Sequence, residues 1–314
     1  MRILFMGSPD FAVTCLEGII ARGWEVVGVI TQDDKPAGRG YKIKSCAVRV
    51  YARENGIPVY EPESLTEEGF PDLKKIDPDL IAVVAYGKML PQYILDYPRY
   101  GCINVHGSLL PKYRGASPIQ QSVIDGCDKT GVTIQYMAKK MDTGDMIVKL
   151  ETPILETDTA GTVHDKLALL GAQGLDVALR QIESGEVKAE KQDESQASYC
   201  KKIDNAMCKI EWDKPCRDVA NKIRGLSPFP GAFTYLDGKI LKIYTAKASA
   251  EQSHSPAGTI VGIGETSFEV ACSEGVVRIE ELQLEGKKRM STKDYLRGRS
   301  IEVGSSLGIC ADAN

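Results

Sequence analysis

Ile3-Leu4-Phe5-Met6-Gly7-Ser8-Pro9-Asp10-Phe11 opens the chain with a short apolar run, a Gly-Ser-Pro turn and an acidic residue. An apolar run of that length, broken by a glycine, reads as a strand covered on both faces. Phe11 to Ala21 then carries apolar residues at helical spacing (Phe11, Cys15, Leu16, Ile19), with Asp10 positioned to cap them and Gly23 beyond. The grammar repeats. Glu25 to Thr31 is rich in β-branched residues, Val48 to Asn55 has a helical pattern, and Leu80 to Ala85 is a further apolar run. Strands without polar alternation, separated by helices, imply an α/β fold with a doubly wound, mostly parallel sheet. Such a Rossmann-like fold suggests a dinucleotide. The Gly-x-Gly-x-x-Gly turn that would hold a pyrophosphate is nevertheless missing from Gly7 to Phe11.

The pattern changes in the second half. Thr159 to Ser184 reads as a long amphipathic helix with Gly185 past its end. Lys188 to Asn205 is polar and strand-poor, and reads as a linker. Beyond it, Gly231 to Leu236, an Asp237-Gly238 turn and Lys239 to Tyr244 form a hairpin signal, followed by strand patterns at Thr259–Ile263, Ser267–Cys272 and Val276–Leu284. Five or six short strands suggest a small C-terminal β-barrel of OB-like type. The expected organisation is a catalytic domain over 1–188, a linker over 189–205 and the barrel over 206–314.

Composition sets bounds on partners. With 314 residues, 43% of them hydrophobic and 26% charged, the chain is long enough for about two globular domains. Its apolar runs are too short to span a bilayer, and its start lacks the long apolar core of a secretory leader, so a cytoplasmic protein with no membrane partner is expected. The nine cysteines include no Cys-x-x-Cys pair and read as reduced thiols rather than metal ligands. A net charge of −4 argues against a uniformly basic nucleic-acid binder, but two basic clusters stand out. Lys35, Arg39, Lys42, Lys44, Arg49 and Arg53 have no acidic residue among them. Lys287, Lys288, Arg289, Lys293, Arg297 and Arg299 surround the single Asp294. One such cluster is ordinarily a solvated surface; two in an acidic protein point toward a polyanionic partner.

The chemistry is concentrated in Asn104-Val105-His106-Gly107-Ser108-Leu109-Leu110-Pro111-Lys112-Tyr113-Arg114-Gly115. A strand over Cys102 to Val105 puts Asn104 and His106 on one side, at the strand end where doubly wound sheets bind ligands. Ser108 has no Gly-x-Ser-x-Gly elbow around it and does not read as a nucleophile, while Arg114 is expected to close the following loop by bonding carbonyl groups. Met141-Asp142-Thr143-Gly144-Asp145 separates two strand patterns and, taken alone, reads as a hairpin turn.

Together these two segments resemble the signature of the folate-dependent formyltransferases. The resemblance implies that Asn104, His106 and Asp142 form the catalytic set and that Ser108, Leu109, Leu110 and Pro111 line the pocket of 10-formyltetrahydrofolate, with no metal required. Met6 to Ala12, Lys35 to Gly40 and Ile223 to Gly231 are similar to further segments of those family members that formylate methionyl initiator tRNA. For this chain they imply that tRNA partner; together with the two basic clusters, contacts from Lys35, Arg39, Lys42, Lys44, Lys287, Lys288 and Arg289 are expected, and a monomeric state. The 35–44 loop is expected to hold little regular structure before tRNA binds. A family member acting on a small amine such as an amino sugar nucleotide is the alternative. The residue types suit the reaction: an amine attacking a formyl carbon makes a tetrahedral oxyanion, which Asn and His can stabilise by donation while Asp142 orients His106 and assists proton transfer.

Overall fold

The structure is a computed structural model that describes residues 1–32, 35–37, 42–299 and 301–308. The chain divides into two compact units. The first comprises Met1–Pro118, Thr130–Thr152 and His164–Cys200; the second comprises Ile119–Lys129, Pro153–Val163 and the chain from Lys201 onward.

The first unit is built on a seven-stranded sheet. Its order is Met146–Pro153, Lys129–Tyr136, Cys102–His106, Leu80–Val84, Arg2–Gly7, Glu25–Ile30 and Val59–Tyr60. The Arg2–Gly7 strand runs parallel to both neighbours, with Ile3 opposite Val26 on one side and Leu80 on the other. Leu80–Val84 is parallel to Cys102–His106, whereas Lys129–Tyr136 pairs antiparallel with it. All five residues of Leu80–Val84 are buried, as a strand covered on both faces requires. Chain order reverses around the first strand, so the crevice of the sheet lies at the carboxyl ends of the Arg2–Gly7 and Leu80–Val84 strands, next to His106.

The first helix spans Asp10–Ile20 and buries Phe11, Cys15, Leu16 and Ile19, the spacing read from the sequence. Asp10 is not its cap. Pro9 holds the cap position without a side-chain bond, and Asp10 sits inside the first turn, where its charge complements the helix dipole. Lys35–Ala37 and Lys42–Lys44 pair as an antiparallel ribbon, Lys35 opposite Lys44, so this segment has more regular structure than its Pro and Gly content suggests. Arg39, with Gly38 and Gly40, lies outside the described residues.

The second unit holds a six-stranded antiparallel sheet. Its order is Ala232–Leu236, Lys239–Ser249, Val276–Leu284, Phe268–Ala271 and Ile260–Ile263, with Met290–Ser291 pairing on Val276–Leu284. Asp237 and Gly238 both take positive φ, 50° and 72°, the pair of angles that a tight hairpin turn demands. Leu241, Ile243, Phe268, Ile279 and Leu282 form the core, joined by Val219 and Ile223 of a helix at Cys216–Gly225. Among the described residues no helix is long and apolar enough to cross a membrane.

Candidate active site

Asn104 and His106 share one face of the Cys102–His106 strand. Across the antiparallel ladder Asn104 lies opposite Gln135 and His106 opposite Thr133. Four polar side chains thus face one another at the end of this strand pair. His106 is 6% exposed, and its Nε2 lies 2.9 Å from the Tyr113 carbonyl oxygen. A carbonyl only accepts, so Nε2 carries the proton. Nδ1 faces the Asp142 Oδ1 at 3.6 Å. The ring is therefore oriented from two sides, by a carbonyl as well as by the carboxylate read from sequence.

Asp142 comes to His106 on the loop between Lys129–Tyr136 and Met146–Pro153. It adopts φ 55°, a left-handed conformation that Asp tolerates better than most residues. A Cβ at Gly144 would collide with the Tyr136 carbonyl oxygen, so only glycine lets this loop close so tightly. The Asp142 Oδ2 accepts the Gly115 N–H at 2.8 Å. Gly115 has φ 119°, and a Cβ there would strike the Cys200 carbonyl, so both ends of this bond depend on glycine geometry. The segment read as a turn in isolation is in fact where the acidic partner of His106 is held.

Ser108 to Pro111 forms the turn that follows. Ser108 is fully buried and its Oγ donates to the Lys112 carbonyl at 2.6 Å, which closes the turn on itself. Thr133 Oγ1 donates to the Ser108 carbonyl and accepts from the Leu110 N–H. Leu110 is buried, while Leu109 and Pro111 remain partly exposed. Of the four residues expected to line a pocket, Ser108 and Leu110 build the turn, and Leu109 packs against Gly131.

Arg114 closes the loop as expected, through side chains rather than carbonyls. It is fully buried. Its guanidinium donates to Gln192 Oε1, to both carboxylate oxygens of Glu194 and to the Tyr199 hydroxyl. These bonds from Arg114 hold the Glu194 carboxyl below its ordinary range. Tyr199–Cys200 pairs in parallel with Arg114–Gly115, and Tyr113 N–H donates to Ser198 Oγ. The stretch read as a linker is therefore no free tether up to Cys200: its polar residues look solvated in sequence, but they supply the partners of a buried arginine.

The C-terminal basic cluster is uneven. Lys287 and Lys288 are exposed, but Arg289 pairs with Glu281 and lies 4.2 Å from the Tyr244 ring centroid. The Arg289 bond also draws the Glu281 carboxyl below its usual range. Lys35, Lys42 and Lys44 sit on the two-stranded ribbon of the first unit.

Residues 1–179 match the family described as Formyl transferase, and residues 202–300 match its C-terminal domain. The chain belongs to the formyl transferase family. The methionyl-tRNA formyltransferase of Clostridioides difficile is 44% identical over 98% of this chain and its own full length, and that of Bacillus velezensis is 44% identical over 100% of this chain and 99% of its own. Among solved structures, an N-formyltransferase from Helicobacter canadensis, in complex with folinic acid and dTDP-3-aminofucose, superposes with a TM-score of 0.67 at 20% identity, covering 92% of this chain and 100% of that one. That likeness concerns the fold. Gln135 and Gln192, which bond around Asp142, escape the sequence reading. The signal for Gln135 is period-two polarity in an apolar strand: Thr133 and Gln135 alternate with Val132 and Ile134, and all four are buried.

Proposed function

We propose that this enzyme transfers the formyl group of 10-formyltetrahydrofolate to the amino group of methionyl initiator tRNA, in the cytoplasm, in support of translation initiation. The observation that carries this reading is the full-length likeness to relatives bearing that name, combined with Asn104, His106 and Asp142 meeting at one strand end. We assign catalysis to residues 1–188 with the returning segment to Cys200, and tRNA binding to 206–314 together with the 35–44 ribbon, in a monomer.

The residues suit a reduced folate: Leu109 and Pro111 are apolar and partly exposed, and the turn that carries them is internally bonded. When bound, the folate supplies a formyl carbon activated by its nitrogen leaving group. Asn104, whose carboxamide has no hydrogen-bond partner among the described residues, donates to the oxygen that turns anionic as the amine attacks. One preorganised donor of this kind is worth roughly 10²–10³ in rate. For His106 to donate as well, the substrate oxygen must replace the Tyr113 carbonyl on Nε2, or the ring must offer Nδ1–H. Asp142, anchored by Gly115, keeps the imidazole aligned and receives, directly or through a water, the proton the amine loses.

Incubation with radiolabelled formyl-folate and, in parallel, methionyl initiator tRNA or an amino sugar nucleotide tests the assignment. Label on the tRNA-borne amine is expected. Label appearing on the sugar nucleotide alone would replace this reading with the small-amine alternative, which has the fold likeness in its support.

A further inference from the structure

We propose that Gln192 is a positioning residue for the Asp142 carboxylate, acting through Gln135 and fixed in direction by Arg114. The proposal rests on Asp142 taking part in catalysis.

From residue 188 to residue 196 every side chain is exposed except Gln192, which turns inward. Its carboxamide touches both loops of the site. Oε1 accepts from Arg114 Nε at 3.0 Å and Nη2 at 2.9 Å. Nε2 lies 2.8 Å from each of the Asp142 and Gly144 carbonyls and 3.1 Å from Gln135 Oε1, its two hydrogens shared among the three acceptors. Gln135 Nε2 in turn faces Asp142 Oδ1 at 3.4 Å.

Each link in this chain has only one permitted sense. A guanidinium donates and never accepts, so the Gln192 oxygen must face Arg114 and its amino group must face the Asp142 loop. That amino group can bond only an acceptor, so Gln135 presents its oxygen to Gln192 and its own amino group to Asp142. The chain ends on the carboxylate, which accepts. Arg114 therefore decides, through two amides, that Asp142 receives a donor on the same oxygen that faces His106.

The backbone gives the second reason. Asp142 holds a left-handed conformation, which persists only when surrounding contacts impose it. Gln192 grips the carbonyls of residues 142 and 144, on either side of the Thr143 link. Release of that grip lets the carboxylate drift while Gly115 still holds one of its oxygens.

The test compares Gln192→Met, Gln192→Glu and Gln135→Met in the wild-type and Asp142→Asn backgrounds, with kcat, both KM values and thermal melting measured for each. Misplacement of a reacting group by about 1 Å costs on the order of 10²-fold, so kcat should fall about 10- to 100-fold while KM for the folate stays within about threefold. Gln192→Glu keeps its acceptor for Arg114 but loses the donors. It should fail as badly as Gln192→Met, whereas a role confined to supporting Arg114 would be rescued by the added carboxylate. In Asp142→Asn, where the carboxylate is already gone, Gln192→Met should change the residual rate less than about twofold. Should Gln192→Met not fold, Gln135→Met carries the same comparison from within a strand. Wild-type kcat in the glutamine variants, or an equal fold-loss in the Asp142→Asn background, overturns the positioning role alone. Wild-type kcat in Asp142→Asn overturns it together with the catalytic assignment of Asp142.

Discussion

Replacing Thr133 by valine removes one oxygen and preserves the shape of the side chain. The hydroxyl is fully buried, accepts the Leu110 N–H at 3.0 Å and donates to the Ser108 carbonyl at 2.7 Å. Valine leaves a donor and an acceptor unpaired in a turn where Ser108 is 0% and Leu110 1% exposed. Each orphaned buried group costs about 1–3 kcal/mol, so the turn should lose about 2–4 kcal/mol after partial relaxation. At about 2–4 °C per kcal/mol, the melting transition of the first unit should drop by roughly 4–16 °C. Thr133→Ser keeps the oxygen and loses a methyl group, which costs about 1 kcal/mol. Because Leu109 and Pro111 ride on this turn, Thr133→Val should also raise KM for formyl-folate several-fold while KM for tRNA stays nearly constant. Calorimetry and steady-state kinetics on the two variants decide the matter. A Thr133→Val protein melting within about 1 °C of wild type, or a serine variant as damaged as the valine one, would refute the reasoning.

The remaining expectations concern the site and its surroundings. Asn104→Ala, His106→Ala and Asp142→Asn should each lower kcat by about 10²-fold or more while the protein still folds, and a wild-type rate in any of them removes that residue from the mechanism. Glu194 has a folded pKa depressed below its unfolded value of 4.5 by the Arg114 bond, so its contribution to stability is present above 4.5 and lost as pH falls through the lower folded value. Urea midpoints of wild type and Glu194→Gln should accordingly differ at neutral pH and draw together as pH falls below 4.5; a gap that does not narrow there contradicts the pairing. For tRNA affinity, Lys287→Gln and Lys288→Gln should each flatten the logarithmic salt slope by about 0.9 if each cation meets a duplex phosphate. Arg289→Gln should do less, because Arg289 is already committed to Glu281 and Tyr244. An unchanged slope in the double lysine variant would move the tRNA surface elsewhere.

Much of the first unit could be read because its strands are buried on both faces and contain few polar residues; Leu80–Val84 admits no other reading. Asn104 and His106 stood out for the same reason, as polar side chains in an apolar run. The helix at Cys216–Gly225 was missed because its apolar stripe is only Val219, Ala220 and Ile223 amid charged residues. The 35–44 ribbon was missed because Pro36 and two glycines outweigh three-residue strands. Gln192 could not be found by pattern at all. A lone amide in a polar stretch has no periodicity, and its burial arises only when the chain folds back against Arg114.

That return has a consequence for synthesis. A nascent chain folds from its N-terminus as it emerges, and the Asp142 loop leaves the ribosome well before residues 192 to 200. Until those residues arrive, Arg114 lacks Gln192, Glu194 and Tyr199, and Gly115 lacks its strand partner Cys200. The Asp142 loop and the Arg114 turn therefore wait, with the cation unmatched, for a segment fifty residues downstream of Asp142. A polypeptide released at residue 188 would contain every residue of the signature motifs and still lack the pieces that lock them together.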